Sequence, residues 1–413
     1  MKVIQLCGKD FFGAGRAAYR LHQGLQKAGV ESVMWVGAKR SNDATVVDIR
    51  ASYFKKKMSK VFVRLEKLFV KKYGGNAREM FSVGSFGHAI KKRIEKEKPD
   101  IIHLHWINRG FLDFRELRDF KIPVVISLHD MWWYTGGCHY DEGCGKYVHT
   151  CGKCPVLQSD KHMGLSYNHL IQKKDILDSL SKVAFVGLSS WMANCAKRST
   201  IGQIHKVVQI SNGIDIEKFK AVDRKNARVK LGLPLNKFLL LFAAVDVLSE
   251  SRKGYQYISK ALTHLNQEYE VIVVGEKGKE EIIGGLKAHY IGEISDDQLL
   301  IDYMSAVDVS VVPSLQENLS NLIMESLSCS TPVVAFNIGG NGDMIKHREN
   351  GYLALEKNVE DLAEGIRYCC NTDHNEVLRL NARKKVVDEF NINQVAKKYI
   401  GLYQLMMNKT TND

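Results

Sequence analysis

Glu317 and Glu325 stand eight residues apart in the stretch Pro313-Ser-Leu-Gln-Glu-Asn-Leu-Ser-Asn-Leu-Ile-Met-Glu-Ser-Leu-Ser-Cys-Ser-Thr-Pro-Val-Val-Ala-Phe-Asn-Ile-Gly-Gly340. Upstream, residues 307–313 read as a buried strand halted by Pro313. Downstream, apolar residues at 319, 322, 323, 324 and 327 predict a helix over 319–329. Residues 331–336 form the next buried strand. Glu317 then lies on the loop at a strand's carboxyl end, and Glu325 projects from the helix that follows. Backbone N–H groups of Asn318, Leu319 and Ser320 would form an anion site at the helix start. A carboxylate beside such a terminus does not attract a phosphate. It accepts hydrogen bonds from hydroxyls of whatever the phosphate carries, and sugar hydroxyls are the natural candidates. The plainer alternative is a surface-loop glutamate and a helix-capping or salt-bridged one.

The elements that must position these residues recur along the chain. Residues 2–7, 31–36, 100–106, 124–129 and 185–189 read as strands, interleaved with helices over 16–28, 83–97 and 191–199. After 206–211 and the turn at Asn212-Gly213, a second series begins. It has strands at 238–244, 270–275 and 289–292, and helices at 255–265 and 297–306. Strands alternating with helices on both sides of a boundary predict two Rossmann-like α/β domains with parallel sheets. Ligands bind such sheets beyond the strand ends. The expected division is 1–205, with a Cys-rich loop at 136–155, then 206–390, then a terminal helix within 391–413.

The segment 313–340 resembles the Glu-x7-Glu signature of the retaining glycosyltransferase family 4, also called group 1, and the layout is similar over essentially the whole chain. The resemblance implies the GT-B architecture, two Rossmann-like domains facing a cleft, with the last helix packing back on the first domain. It implies that Glu317 holds hydroxyls of the transferred sugar and that Glu325 binds the nucleotide ribose. The family also uses an arginine and a lysine after the first strand of the second domain. Here these are Arg252 and Lys253, in Ser249-Glu-Ser-Arg-Lys-Gly254. Two cations there neutralise a departing diphosphate. They are adjacent, whereas the usual pattern separates them by several residues. A histidine following a first-domain strand contacts the sugar in similar enzymes, which assigns His129.

Gly13-Ala-Gly15-Arg-Ala-Ala18 matches the Gly-x-Gly-x-x-Gly/Ala dinucleotide form. It starts five residues after Gly8, however, and no acid closes the second strand at 36–40. Gly13 and Gly15 are read instead as a loop that lets donor and acceptor approach the backbone, as in similar transferases. His103 and His105 are read as alternating across a strand, so that at most one faces the ligand.

Cys138, Cys144, Cys151 and Cys154 fall within seventeen residues, among five glycines, with His139 and His149 nearby. They suit a closed structural zinc site or free, redox-labile thiols. No catalytic cofactor is expected. Nine cysteines and a first strand starting at Lys2 in place of an export signal predict a cytoplasmic protein. No run nears the roughly 20 apolar residues of a membrane span.

The net charge of +13 is uneven: between Lys55 and Tyr73 there are eight Lys/Arg and one acid, Glu66. Met58, Val61, Phe62, Leu65, Leu68 and Phe69 recur at helical spacing, with Lys60, Arg64, Lys67 and Lys71 opposite. The segment 55–72 is either a surface helix docked through its apolar stripe or a peripheral contact with an anionic membrane's inner face. Nucleic acid is not an expected partner, because no recognition motif is present.

The expected activity is transfer of a sugar from a nucleotide-diphosphate donor to a glycan or lipid-linked oligosaccharide. Rival readings are a sugar-nucleotide epimerase or phosphorylase on the same fold, or a basic membrane or nucleic-acid adaptor.

Overall fold

The computed structural model describes residues 1–73, 81–243, 251–275 and 281–408. It divides into two compact units, Met1–Gly213 with Asn393–Asp413, and Ile214–Ile392.

The first unit is built on seven strands: β1 (Lys2–Cys7), β2 (Glu31–Val36), β3 (Val46–Asp48), β4 (Ile101–Leu104), β5 (Val124–Leu128), β6 (Val183–Gly187) and β7 (Lys206–Gln209). Their order is β3-β2-β1-β4-β5-β6-β7, and every pair is parallel. Strands β4 and β5 are buried along their whole length. That is why they read as continuous apolar runs, since a parallel sheet is covered on both faces. The short β3 carries no sequence signal. The terminal helix Ile392–Met407 buries Tyr399 and Tyr403. Tyr403 meets His103 Nδ1 at 2.7 Å, and Tyr399 meets Ser127 Oγ at 2.9 Å.

The second unit holds β8 (Phe238–Ala243), β9 (Tyr269–Val274), β10 (Glu281–Ile283), β11 (Leu286–Gly292), β12 (Val309–Val312), β13 (Val333–Phe336) and β14 (Gly351–Ala354). The order is β10-β11-β9-β8-β12-β13-β14, with only the edge pair β10–β11 antiparallel. At the amino end of β12, buried Asp308 accepts from Arg228 Nη2 at 2.7 Å, Arg224 Nη1 at 2.8 Å and the Leu239 N–H at 2.7 Å. This ties β8 to β12 at the end away from the loop bearing Glu317.

Three expectations are corrected. His103 and His105 share one face, as residues i and i+2 of a strand must; their ring centroids are 4.2 Å apart. The helix expected over 83–97 spans only Lys91–Glu97. Before it the chain is held open, because the Val83 and Gly84 N–H groups donate to Glu66 Oε1 at 2.8 and 2.9 Å. The basic helix Tyr53–Tyr73 packs only part of its apolar pattern. Ser59, Glu66 and Val70 are its buried residues. Val61, Leu65 and Leu68 remain 43%, 43% and 58% exposed, interleaved with Lys60, Arg64, Lys67 and Lys71. A buried carboxylate with two N–H donors is satisfied, while Met58, Phe62 and Phe69 of the stripe are half-buried, Phe62 against His88 and Phe69 against Phe86.

Candidate active site

Strand β8 is followed in sequence by β9 on one side of it, while β12 lies on its other side. The gap between β8 and β12 is therefore the topological switch point of the second sheet, where open α/β sheets take ligands beyond their carboxyl ends. Arg252 and Lys253 lie on the 3₁₀ turn Ser251–Lys253 after β8, and Glu317 on the loop after β12. Ser249 and Glu250 of the same motif lie outside the described residues.

The two connections are knitted together. Leu315 N–H donates to Arg252 O at 2.8 Å, and Arg252 Nη1 donates to Gln316 O at 3.0 Å. Gly254, at φ +75°, passes so near that a Cβ would lie 1.9 Å from Pro313 O. Lys253 Nζ donates to Glu317 Oε1 at 2.7 Å. From β13's end, Gly340 N–H donates to Glu317 O at 3.3 Å. Gly339, at φ +50°, leaves no room for a Cβ, which would meet that same oxygen at 1.9 Å. Burial pushes the Glu317 carboxyl up. Lys253, Arg252 and a hydrogen bond from Ser314 outweigh this and hold it below its usual value. It is a carboxylate at neutral pH, able to accept from hydroxyls.

Asn318, Leu319 and Ser320 are buried and lead into the helix Asn321–Ser328, which carries the buried Glu325. Ser320 caps the helix without a side-chain bond. The first-turn N–H groups have no acceptor inside the helix, which suits an anion. Sequence reasoning overlooked Ser314 and buried Asn341. The Asn341 Nδ2 donates to Phe336 O at 3.0 Å, and its Oδ1 has no partner among the described residues. The Gly339-Gly340 doublet just before it was the available signal.

In the first unit the switch point lies between β1 and β4. The helix Phe12–Lys27 follows β1 and is broken at Gly13 (φ 12°, ψ −111°). A Cβ on Gly13 would meet nothing within 4 Å, whereas one on Gly15 would lie 2.5 Å from Lys9 O. Gly15 thus permits a close backbone crossing, while Gly13 borders open space. His129 follows β5, its Nε2 3.0 Å from His105 Nδ1. Its neighbour Asp130 is structural: it accepts from His139 Nδ1 at 2.7 Å, Trp106 Nε1 at 3.0 Å and the Trp132 N–H at 2.9 Å. Beyond β2 and β3 a cavity of about 490 Å³ is lined by Lys39, Arg50, Lys56 and Lys60, with Asp48 in its wall.

The expected zinc site is not assembled. Among the described residues no group of three or more His, Cys, Asp or Glu side chains is placed to hold a metal. The intended ligands are otherwise engaged. Cys138 hydrogen-bonds Cys154, which draws the Cys154 thiol below its usual value. Cys151 Sγ accepts from the Gly136 N–H at 3.1 Å, and His139 is held between Asp130 and Ser82.

Residues 12–218, half of the chain, match the family described as Glycosyltransferase Family 4, and residues 223–385 match Glycosyl transferases group 1. The chain belongs to the family 4, group 1 glycosyltransferases. This transferase is 25% identical over 326 residues to an uncharacterized glycosyltransferase of Methanocaldococcus jannaschii, covering 75% of this chain and 76% of that one. It is 27% identical over 338 residues to an Escherichia coli UDP-Gal:alpha-D-GlcNAc-diphosphoundecaprenol alpha-1,3-galactosyltransferase, covering 78% and 79% of the two chains. In fold it is similar to sucrose-phosphate synthase from Thermosynechococcus elongatus, with TM-score 0.70, 19% identity and coverage of 98% and 99%. It is also similar to Anabaena HepE in complex with UDP, with TM-score 0.63, 17% identity and coverage of 98% and 100%. The transferase therefore consists of two parallel-sheet α/β domains of the GT-B kind.

Proposed function

We propose that the transferase is a retaining, metal-independent enzyme that moves a hexose or related sugar from a nucleotide diphosphate to a lipid-linked or glycan acceptor. The observation that carries this reading is the Lys253–Glu317 pair at the switch point of the second sheet. A cation and a carboxylate side by side match the two ends of a nucleotide sugar. Lys253, Arg252 and the helix start at Asn318, Leu319 and Ser320 take the diphosphate. Glu317 orients the sugar through its hydroxyls, Glu325 takes the ribose, and His129 is a further contact of the sugar. The Gly13–Gly15 turn gives donor and acceptor close access to backbone. As the glycosidic bond breaks, the cations stabilise the leaving diphosphate. The acceptor hydroxyl attacks from the same face and gives its proton to a donor phosphate oxygen, which preserves the anomeric configuration.

Two observations favour a lipid-linked, anionic acceptor at a membrane's inner face. The cavity lined by Lys39, Arg50, Lys56 and Lys60 suits phosphate oxygens. The helix Tyr53–Tyr73, which supplies Lys56 and Lys60, leaves Leu65 and Leu68 exposed between cations. Among the described residues no helix is long and apolar enough to cross a membrane. Attachment would thus be peripheral.

The test is a donor panel with a diphosphate-lipid acceptor in the presence of EDTA, with product anomers assigned by NMR. Retained configuration, lost in Glu317→Ala together with turnover, supports the proposal. An inverted product or a Glu317→Ala variant of full activity refutes it.

A further inference from the structure

Six hydrogen bonds in the first unit form an unbroken line from a carboxylate near the surface to His129. Asp43 Oδ1 meets Thr45 Oγ1 at 2.5 Å, Thr45 Oγ1 meets His22 Nε2 at 2.8 Å, and His22 Nδ1 meets Ser32 Oγ at 2.8 Å. Ser32 Oγ meets Gln5 Nε2 at 3.0 Å, Gln5 Oε1 meets His105 Nε2 at 2.9 Å, and His105 Nδ1 meets His129 Nε2 at 3.0 Å. Gln5, His22, Ser32 and His105 are all buried, so bulk water does not compete along the middle of the line.

We infer that this line fixes His129 as the imidazole carrying its proton on Nε2, with Nδ1 as a hydrogen-bond acceptor, and that Gln5 and His105 are its positioning residues. The direction follows from the far end. An ionised Asp43 can only accept, so the Thr45 hydroxyl proton is committed to it. Thr45 Oγ1 must then accept from His22 Nε2–H, as it also does from Gln26 Nε2 at 2.9 Å. A neutral imidazole has one N–H, so His22 Nδ1 accepts from the Ser32 hydroxyl. The Ser32 oxygen in turn accepts from the Gln5 amide nitrogen. That orientation points Gln5 Oε1 at His105 and places the His105 proton on Nε2. His105 Nδ1 is left as an acceptor, and only a proton on His129 Nε2 satisfies it.

Burial keeps the rings neutral: it pushes His22 and His129 down to about 4 and His105 well below its usual value. With the opposite tautomer, His129 Nδ1 would offer a proton where this one offers a lone pair. Which nitrogen carries the proton is set by the partner of the other. Resting on the reading of His129 as a sugar contact, the line would make that contact an acceptor for a donor-sugar hydroxyl.

The test uses the full chain labelled with 15N-histidine, with ring tautomers read by NMR at pH 7. The expected pattern is Nε2–H for His22, His105 and His129. A charged His129, or one protonated on Nδ1, overturns the inference. In Gln5→Met the line is cut. His22 should keep its tautomer because Asp43 still dictates it, while His105 and His129 become mixtures. A His129 that stays locked in this variant also overturns the inference. Asp43→Asn, near the surface and away from His129, offers Thr45 either a donor or an acceptor and should blur all three rings; unchanged rings count against the inference. For activity, Gln5→Met should lower kcat up to about tenfold, the worth of one hydrogen bond, with the donor KM unchanged within about twofold. Tautomers as expected with an unchanged kcat leave the line intact and refute the sugar contact of His129 instead.

Discussion

Lys253 and Glu317 close an ion pair of 2.7 Å between the turn after β8 and the loop after β12. The same ammonium is the one proposed to meet the donor diphosphate, so the carboxylate both positions it and shares it. Removing either partner should therefore act on the other. Glu317→Ala should lower kcat by about 10²–10³, the usual scale for one electrostatic contact to the transition state. Lys253→Ala should weaken nucleoside-diphosphate binding as well. The double variant should lose less than the product of the two single losses, because neighbouring residues are not additive. Initial rates and titration calorimetry with the free nucleotide check all three, and simple additivity would show that the pair is incidental. Glu325→Ala should weaken nucleotide binding about tenfold while leaving bare diphosphate binding unchanged.

The exposed face of the helix Tyr53–Tyr73 should hold anionic vesicles through both charge and apolar insertion. Changing Lys60, Arg64, Lys67 and Lys71 to glutamate should abolish sedimentation with such vesicles, and salt should weaken the native binding. Leu65→Ser with Leu68→Ser should weaken binding at high salt, where insertion dominates. Binding that survives the charge reversal would show that this face has another role.

Stability of the second unit should depend on the buried cluster around Asp308. Asp308→Ala leaves Arg228, buried and 2.7 Å from it, without its counter-ion. The expected loss is about 3–5 kcal/mol, read from urea unfolding. A loss below about 1 kcal/mol would mean that the carbonyls around Arg228 suffice.

The protein should lose stability in mild acid. Burial holds His22 to about 4, and His103 and His169 to about 3, in the folded chain. Unfolded histidines take up protons below about pH 6.5. Between about pH 6.5 and pH 4 the unfolded state therefore binds more protons, and stability falls as pH falls. Each histidine adds a slope of up to about 1.4 kcal/mol per pH unit. Melting temperatures across this window check the sign. A flat profile would show that these rings titrate equally in both states.

Much of the fold was legible because parallel strands buried on two faces leave long apolar runs, as in β5, β8 and β12. The short β3 and the open stretch after residue 80 were not, since their backbone is satisfied by partners distant in sequence. Glu66 shows the reason most clearly: its two N–H donors lie 17 and 18 residues away, and no local periodicity reports them. The residues around Glu317 could be read from strand, loop and helix signals in one segment. Their joining to Lys253 could not, because it spans 64 residues. The cysteine cluster misled because spacing says nothing about which thiol faces which, and here two pair with each other while a third turns to Gly136.

The carbonyl oxygens of Pro313 and Glu317 each rest where a side chain on Gly254 or Gly339 would have to go. Positions 254, 313, 317 and 339 therefore make one mechanical cassette, although they come from three separate turns. Redesign of donor preference by transplanting a relative's loop must move all three turns together. A graft that carries only the acidic loop would bring its carboxylate into a frame no longer cut to receive it.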